Sequence, residues 1–131
     1  MAVELGYTLS SEEHGPQTLV RNSRAGEEAG FEFLTISDHF HPWTDAQGQS
    51  PFVWSVIGGI AQATERVRVG TGVTCPTIRI HLAIVAQAAA TSQVMLEGRF
   101  LRGRRRQGQA LLRPAPCLLC RERGTGPQDR A

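Results

Sequence analysis

The stretch GFEFLTISDHFHPW, residues 30–43, decides the fold. Residues 31–37 alternate with a period of two. Phe31, Phe33, Thr35 and Ser37 face one side, and Glu32, Leu34 and Ile36 the other. A mostly apolar run that can be buried on both faces suits a strand of a parallel sheet. Gly30 is placed to cap the C-terminus of a preceding helix. After Ser37 the pattern breaks into a polar and aromatic loop that runs from Asp38 to Ser50.

Working outward, residues 3–9 read as a short strand bounded by polar residues. Gly15-Pro16 opens a helix to about residue 29, since proline suits the first helical turn. Asn22 and Gly26 weaken that helix. Downstream, Pro51 opens a helix over 51–64 with Val53, Ile57, Ile60 and Ala61 at helical spacing. A strand over 67–72, a loop over 73–79 and an Ala-rich helix over 81–96 follow, with Ile84, Val85, Ala88 and Ala89 on one side of that helix. Gly98 ends it, and residues 99–101 begin a fourth strand. The order βαβαβα, then an unfinished β, implies crossover connections and a parallel sheet. Periodicity allows a barrel and an open doubly wound sheet equally. A full (β/α)8 barrel takes about 250 residues, so the 131 residues here can hold at most half of one.

The composition, 40% hydrophobic and 20% charged, is that of a globular chain. There is no apolar run of membrane-spanning length and no visible secretory signal, so a cytoplasmic location and no membrane partner are expected. Cys75, Cys117 and Cys120 are too few and too unevenly spaced for a disulfide framework. Charge is uneven. Residues 1–101 carry six Arg against ten Asp and Glu, and residues 102–131 carry eight Arg against two acids. All basic residues are Arg, with no Lys, which points to GC-rich coding rather than to selection for positive charge. Beyond Leu101 the periodic pattern stops: RGRRR at 102–106 is followed by Pro114, Pro116 and Pro127, and residues 102–131 are expected to be a disordered tail.

In parallel α/β folds ligands bind at the carboxyl ends of the strands. That rule selects Ser10-Ser11-Glu12-Glu13-His14, Asp38-His39-Phe40-His41-Pro42-Trp43 and Gly72-Val73-Thr74-Cys75-Pro76-Thr77. Together they offer His for proton transfer near neutral pH and Trp to wall a pocket for a flat ring. Each has a plainer reading. Glu12 could serve only the helix dipole, and Asp38 could cap local backbone in an Asx turn. His39 and His41 alternate along an extended loop, so one of them is expected to face a ligand and the other solvent. Trp54, inside a helix, reads as a core aromatic, and His81, at a helix start, as a surface residue. Asp38-x-x-His41 with Cys117-x-x-Cys120 lacks four ligands on a rigid frame, so no metal site is expected.

The strings GYTLSSEEHGP (6–16), ISDHFHPW (36–43), SPFVW (50–54) and GTGVTCPTIRIH (70–81) are similar to the deazaflavin-dependent glucose-6-phosphate dehydrogenase group of the luciferase-like flavin and deazaflavin superfamily. SDHFHPW is the most specific of them, and the resemblance runs from about Val3 to Phe100. It implies that residues 1–101 are the N-terminal βαβαβα portion of a (β/α)8 TIM barrel. It also implies hydride transfer between an alcohol or sugar-phosphate substrate and coenzyme F420, an 8-hydroxy-5-deazaflavin. By the resemblance His39 is the base for the hydroxyl proton, Trp43 packs at the reacting centre, and Glu12 supports His39 or the substrate. Asp38 contacts the cofactor, Gly72-Val73 is a non-proline cis peptide against its ring, and Cys75 lies near that ring. Full-length members are expected to be homodimers.

The resemblance also shows departures. The family's fourth strand leads into Gly-Val-Gly-x-Gly-Glu, which contacts the cofactor and carries a second acid. Here Arg102-Gly103-Arg104-Arg105-Arg106 occupies that place. With GC-rich codons, a shift of one base turns this stretch into Gly-Val-Gly-Ala, so the tail is expected to be a frameshifted reading of a longer gene. The chain is then a truncated, inactive fragment of an oxidoreductase. The alternatives are a non-catalytic fragment that binds flavin or deazaflavin, and nucleic-acid binding through the Arg-rich tail. Nucleic acid is the less favoured partner, because the tail offers no aromatic residue for base stacking.

Overall fold

The computed structural model describes residues 4–74 and 76–101. Cys75 and residues 102–131 lie outside the described residues, and with them the expected tail, its cysteine pair and the RGRRR segment. The described elements are strand β1 (Gly6–Leu9), helix α1 (Pro16–Glu28), strand β2 (Phe33–Asp38), helix α2 (Val53–Ala63), strand β3 (Arg68–Thr74), a short helix α3 (Pro76–Arg79) and helix α4 (Leu82–Met95).

The three strands form one parallel sheet in the order β1-β2-β3. Tyr7 pairs with Leu34 and Leu9 with Ile36; Leu34 pairs with Val69 and Ile36 with Thr71. Residues whose side chains share a face are thus aligned across the strands, and Leu9, Leu34, Ile36 and Val69 form one apolar layer. Helices supply the facing layer with Leu19 from α1 and Val53, Val56, Ile57 and Ile60 from α2, all buried. Burying each such side chain contributes about 1.5–3 kcal/mol. The other sheet face carries Thr8 and Thr35, whose hydroxyls are 3.0 Å apart and exposed.

Helix ends explain most differences from the sequence reading. Gly30, at φ +91°, donates to Glu27 O at 3.1 Å, and Phe31 N–H donates to Gly26 O at 3.1 Å. This is a Schellman turn. It ties Phe31 to the helix, so β2 starts at Phe33 rather than at residue 31. Gly26, which weakens α1 by propensity, is buried, and a Cβ there would sit 3.2 Å from Leu34 Cδ2. Close approach of helix to sheet selects glycine at that position. Helix α2 begins at Val53, not at residue 51, because Phe52 is its extended N-cap and its carbonyl accepts from Ser55 N–H at 3.0 Å. The expected loop over 73–79 is corrected twice. Strand β3 runs on to Thr74, and α3 occupies Pro76–Arg79. His81 is exposed and caps α4, its Nδ1 accepting from Ala83 N–H at 3.2 Å.

The expected fourth strand is present at its start. Phe100 forms a parallel bridge to Val69, Leu101 N–H donates to Val69 O at 2.7 Å, and Val69 N–H donates to Arg99 O at 3.0 Å. The turn before β3 is gripped from both sides. Glu27 of α1 accepts from the backbone N–H groups of Glu65, Arg66 and Val67, at 2.6 Å for Arg66 and 2.7 Å for Val67. The Arg99 guanidinium donates to the carbonyls of Thr64 and Val67, each at 2.8 Å.

Candidate active site

The carboxyl end of β1 leads into a turn in which Ser11 and Glu12 are buried. The carboxyl end of β2 delivers Ser37, Asp38 and His39 beside it. Side-chain alternation sends Ser37 and Asp38 to opposite faces, so the two acids of the site acquire different partners. Glu12 Oε1 pairs with His39 Nδ1. Glu12 Oε2 accepts from Ser37 Oγ at 2.7 Å and from Ser10 Oγ at 3.2 Å. Ser11 completes the cluster: its N–H donates to Ser37 Oγ at 3.0 Å and its hydroxyl to Ser37 O at 2.6 Å.

Burial pushes the Glu12 carboxyl up, but hydrogen bonds from Ser37, from His39, from its own backbone N–H and from Ser10 outweigh it. The net pKa lies below the ordinary glutamate value. Glu12 is therefore an anion at neutral pH. An anion facing Nδ1 places the imidazole proton there in the neutral ring and leaves Nε2 as a proton acceptor. Ser50 Oγ donates to His39 O at 2.6 Å and anchors the loop. The indole of Trp43 meets the His39 ring edge-on, with centroids 5.1 Å apart and planes at 75°. Trp43 is itself 74% exposed, so its face is open to a ligand. Its backbone N–H is held by Gln47 Oε1 at 2.8 Å.

The structure thus brings Glu12, His39 and Trp43 together. It separates His41, which is exposed with Nδ1 3.1 Å from Pro42 O. Asp38 does not cap local backbone. Its Oδ1 pairs with Arg79 at the end of α3, and its Oδ2 is buried without a partner among the described residues. Gly72-Val73 is a cis peptide on the adjacent strand. It sits in a bulge, because between the pairs Ile36–Thr71 and Asp38–Thr74 β2 advances two residues and β3 three. Val73 is 62% exposed there. Among the described residues no three His, Cys, Asp or Glu side chains converge on a metal-sized point. Trp54 packs on the core with Phe100, ring centroids 6.0 Å apart, away from the site. A cleft of about 650 Å³ lined by residues of α1, α2 and the segment before α2, Ser50 among them, contains none of Glu12, Asp38, His39, Trp43 and Val73. The site is placed by its chemistry rather than by that concavity.

Sequence reading missed Ser37, Ser50 and Arg79 as partners. Ser37 had a signal, since it ends a strand next to Asp38 and His39. Arg79 had none, because it lies 41 residues from Asp38 and meets it only in the fold.

Consecutive parallel βα units with a carboxylate–imidazole pair at the carboxyl ends of the strands define an α/β protein with its site at the strand ends. The chain belongs to the luciferase-like family: the profile described as "Luciferase-like monooxygenase" matches residues 2–110. The chain is 39% identical over 103 residues to an F420-dependent glucose-6-phosphate dehydrogenase of Kribbella flavida, covering 79% of this chain and 31% of that protein. It is 40% identical over 99 residues to an F420-dependent hydroxymycolic acid dehydrogenase of Mycobacterium tuberculosis, covering 76% of this chain and 28% of that one. An F420-dependent secondary alcohol dehydrogenase, solved with an F420-acetone adduct, superposes with a TM-score of 0.72 at 38% identity, covering 76% of this chain and 30% of that chain. The fold is therefore the N-terminal part of a luciferase-like TIM barrel. The chain spans less than a third of the length of these relatives.

Proposed function

We propose that this chain carries the base and part of the cofactor face of an F420-dependent oxidoreductase acting on an alcohol or a sugar phosphate. The carrying observation is the Glu12–His39–Trp43 arrangement one strand away from the Gly72-Val73 peptide. The residues present fit a flat, polar-edged cofactor. Val73 and Trp43 offer exposed apolar faces, and Asp38 holds a buried oxygen with no partner among the described residues. When bound, the deazaflavin supplies the hydride acceptor.

His39 Nε2 receives the hydroxyl proton of the alcohol as hydride leaves its carbon, so that alcohol becomes carbonyl. Glu12 keeps the Nδ1 proton in place and balances the charge that appears on the ring. Trp43 covers the reacting carbon and excludes water. Asp38, Gly72 and Val73 form the cofactor side, and Arg79 pairs with Asp38 there.

The test is binding of F420 and of flavin mononucleotide to the 131-residue chain, followed by fluorescence titration, and then deazaflavin reduction by a secondary alcohol. The expected result is binding of F420 in preference to the flavin, weakened at least tenfold by Asp38→Ala, about 1.4 kcal/mol. Equal binding of both, or binding of neither, overturns the reading.

A further inference from the structure

Glu12 and His39 form a pair whose orientation depends on a group outside it. Glu12 is 4% exposed, Ser37 7% and Ser11 0%. A buried polar cluster of this kind is costly unless each member is bonded, and here each is. Ser37 Oγ has one proton. Three acceptors are near it, Leu9 O at 3.4 Å, Ser11 Oγ at 3.0 Å and Glu12 Oε2 at 2.7 Å. The carboxylate is closer and charged, and takes the proton. The lone-pair side of the same oxygen is occupied by Ser11 N–H at 3.0 Å. The Ser11 hydroxyl is committed to Ser37 O at 2.6 Å. With Ser11 N–H on its lone-pair side, the Ser37 O–H bond is directed at Glu12 Oε2 before any ligand is considered.

We infer that Ser37 is a positioning residue: its hydroxyl, locked by Ser11, orients the Glu12 carboxylate so that the opposite oxygen meets His39 Nδ1. The chain of contacts runs Ser11, Ser37, Glu12, His39 Nδ1, and it ends on the imidazole whose other nitrogen, Nε2, takes the substrate proton. This inference rests on the oxidoreductase reading for what His39 does, but not for the orientation itself. Without Ser37 the carboxylate keeps only Ser10 on Oε2, at 3.2 Å and on a residue less buried than Ser37. Burial, which raises the Glu12 pKa, then loses the first of the bonds that oppose it.

The experiment is a carbon-13 NMR titration of the Glu12 side-chain carboxyl in the full 131-residue chain, for the native sequence, Ser37→Ala, Ser37→Thr and Ser23→Ala. Ser23 is the control, a buried serine whose hydroxyl goes to Leu19 O at 2.7 Å, far from the pair in the network. Ser37→Ala should raise the Glu12 midpoint by about one unit, the size expected for loss of a bond to a charged group. Ser37→Thr, which retains the hydroxyl, should restore it, and Ser23→Ala should leave it unmoved. A Ser37→Ala chain that melts earlier but titrates as the native one does overturns the inference, because a merely structural serine gives that result. If Ser37→Ala does not fold, Ser37→Cys, nearly isosteric with a weak donor, must raise the midpoint for the inference to stand. A raised midpoint in a chain that binds no F420 keeps the positioning role and removes the oxidoreductase reading; an unmoved midpoint in a chain that binds F420 does the reverse.

Discussion

At the scale of single residues, the site divides its work between two acids. Glu12 is solvated by hydroxyls and faces an imidazole, whereas Asp38 faces a guanidinium. On the proposed reading, replacement of His39 by Ala removes the proton acceptor and is expected to lower single-turnover deazaflavin reduction by about 10²–10⁴-fold. Glu12→Gln is nearly isosteric but presents an amide to Nδ1, either as a second donor or as a neutral acceptor. It is expected to cost at least tenfold, with F420 affinity unchanged. Stopped-flow absorbance separates rate from binding; a rate within twofold of native for both variants would remove the Glu12–His39 pair from the chemistry. The choice of His39 over His41 was half legible in the sequence. Alternation said that one of the two faces inward, and the SDHFHPW resemblance said which. The support of His39 by Glu12 came from the resemblance alone, because from the residues themselves an acid before a helix has a sufficient local reason to be there.

At the scale of elements, periodicity located every strand and long helix, while their ends were set by bonds that periodicity does not encode. Phe31 reads as strand and is used as helix cap; Pro51 reads as helix start and stands two residues outside it. The short helix α3 was invisible because four residues cannot display a helical repeat. The grip of Glu27 on the turn before β3 is the element-level contact with the clearest consequence. Burial raises its pKa, but the N–H groups of Val67, Arg66 and Glu65 and the charge of Arg66 lower it by more. A depressed carboxyl stabilises the fold fully above its unfolded pKa, about 4.3, and that contribution is lost as pH falls through the folded value. Glu27→Gln is therefore expected to cost about 1–3 kcal/mol at pH 7, with native and variant converging below the ordinary glutamate range. Urea denaturation at several pH values measures this; a difference that is constant with pH contradicts it.

At the scale of the whole molecule, the apolar layer between sheet and helices is closed, but α4 is not covered among the described residues. Leu82 is 43% exposed, Ile84 50% and Val94 74%. Exposed large apolar side chains along one helix mark a surface that seeks cover. The chain is expected to bind an apolar-surface dye in its folded state, and Ile84→Glu with Val94→Glu should reduce the dye signal at least twofold at unchanged helix content by circular dichroism. Equal dye binding by native and variant would place the apolar surface elsewhere. The barrel itself came from the resemblance rather than from periodicity, which allows an open sheet as well; a third of a closed sheet and a third of an open one have the same local pattern.

The turn over 64–67 has one further consequence. The N–H groups of Glu65, Arg66 and Val67 belong to Glu27 and the carbonyls of Thr64 and Val67 to Arg99, so a segment with no regular structure is bonded from two sides. In amide hydrogen exchange, Arg66 and Val67 should therefore trade their protons for deuterons at the slow pace of β3 rather than the fast pace of a surface loop. Their exchange would report the moment at which α1 lets go of the sheet.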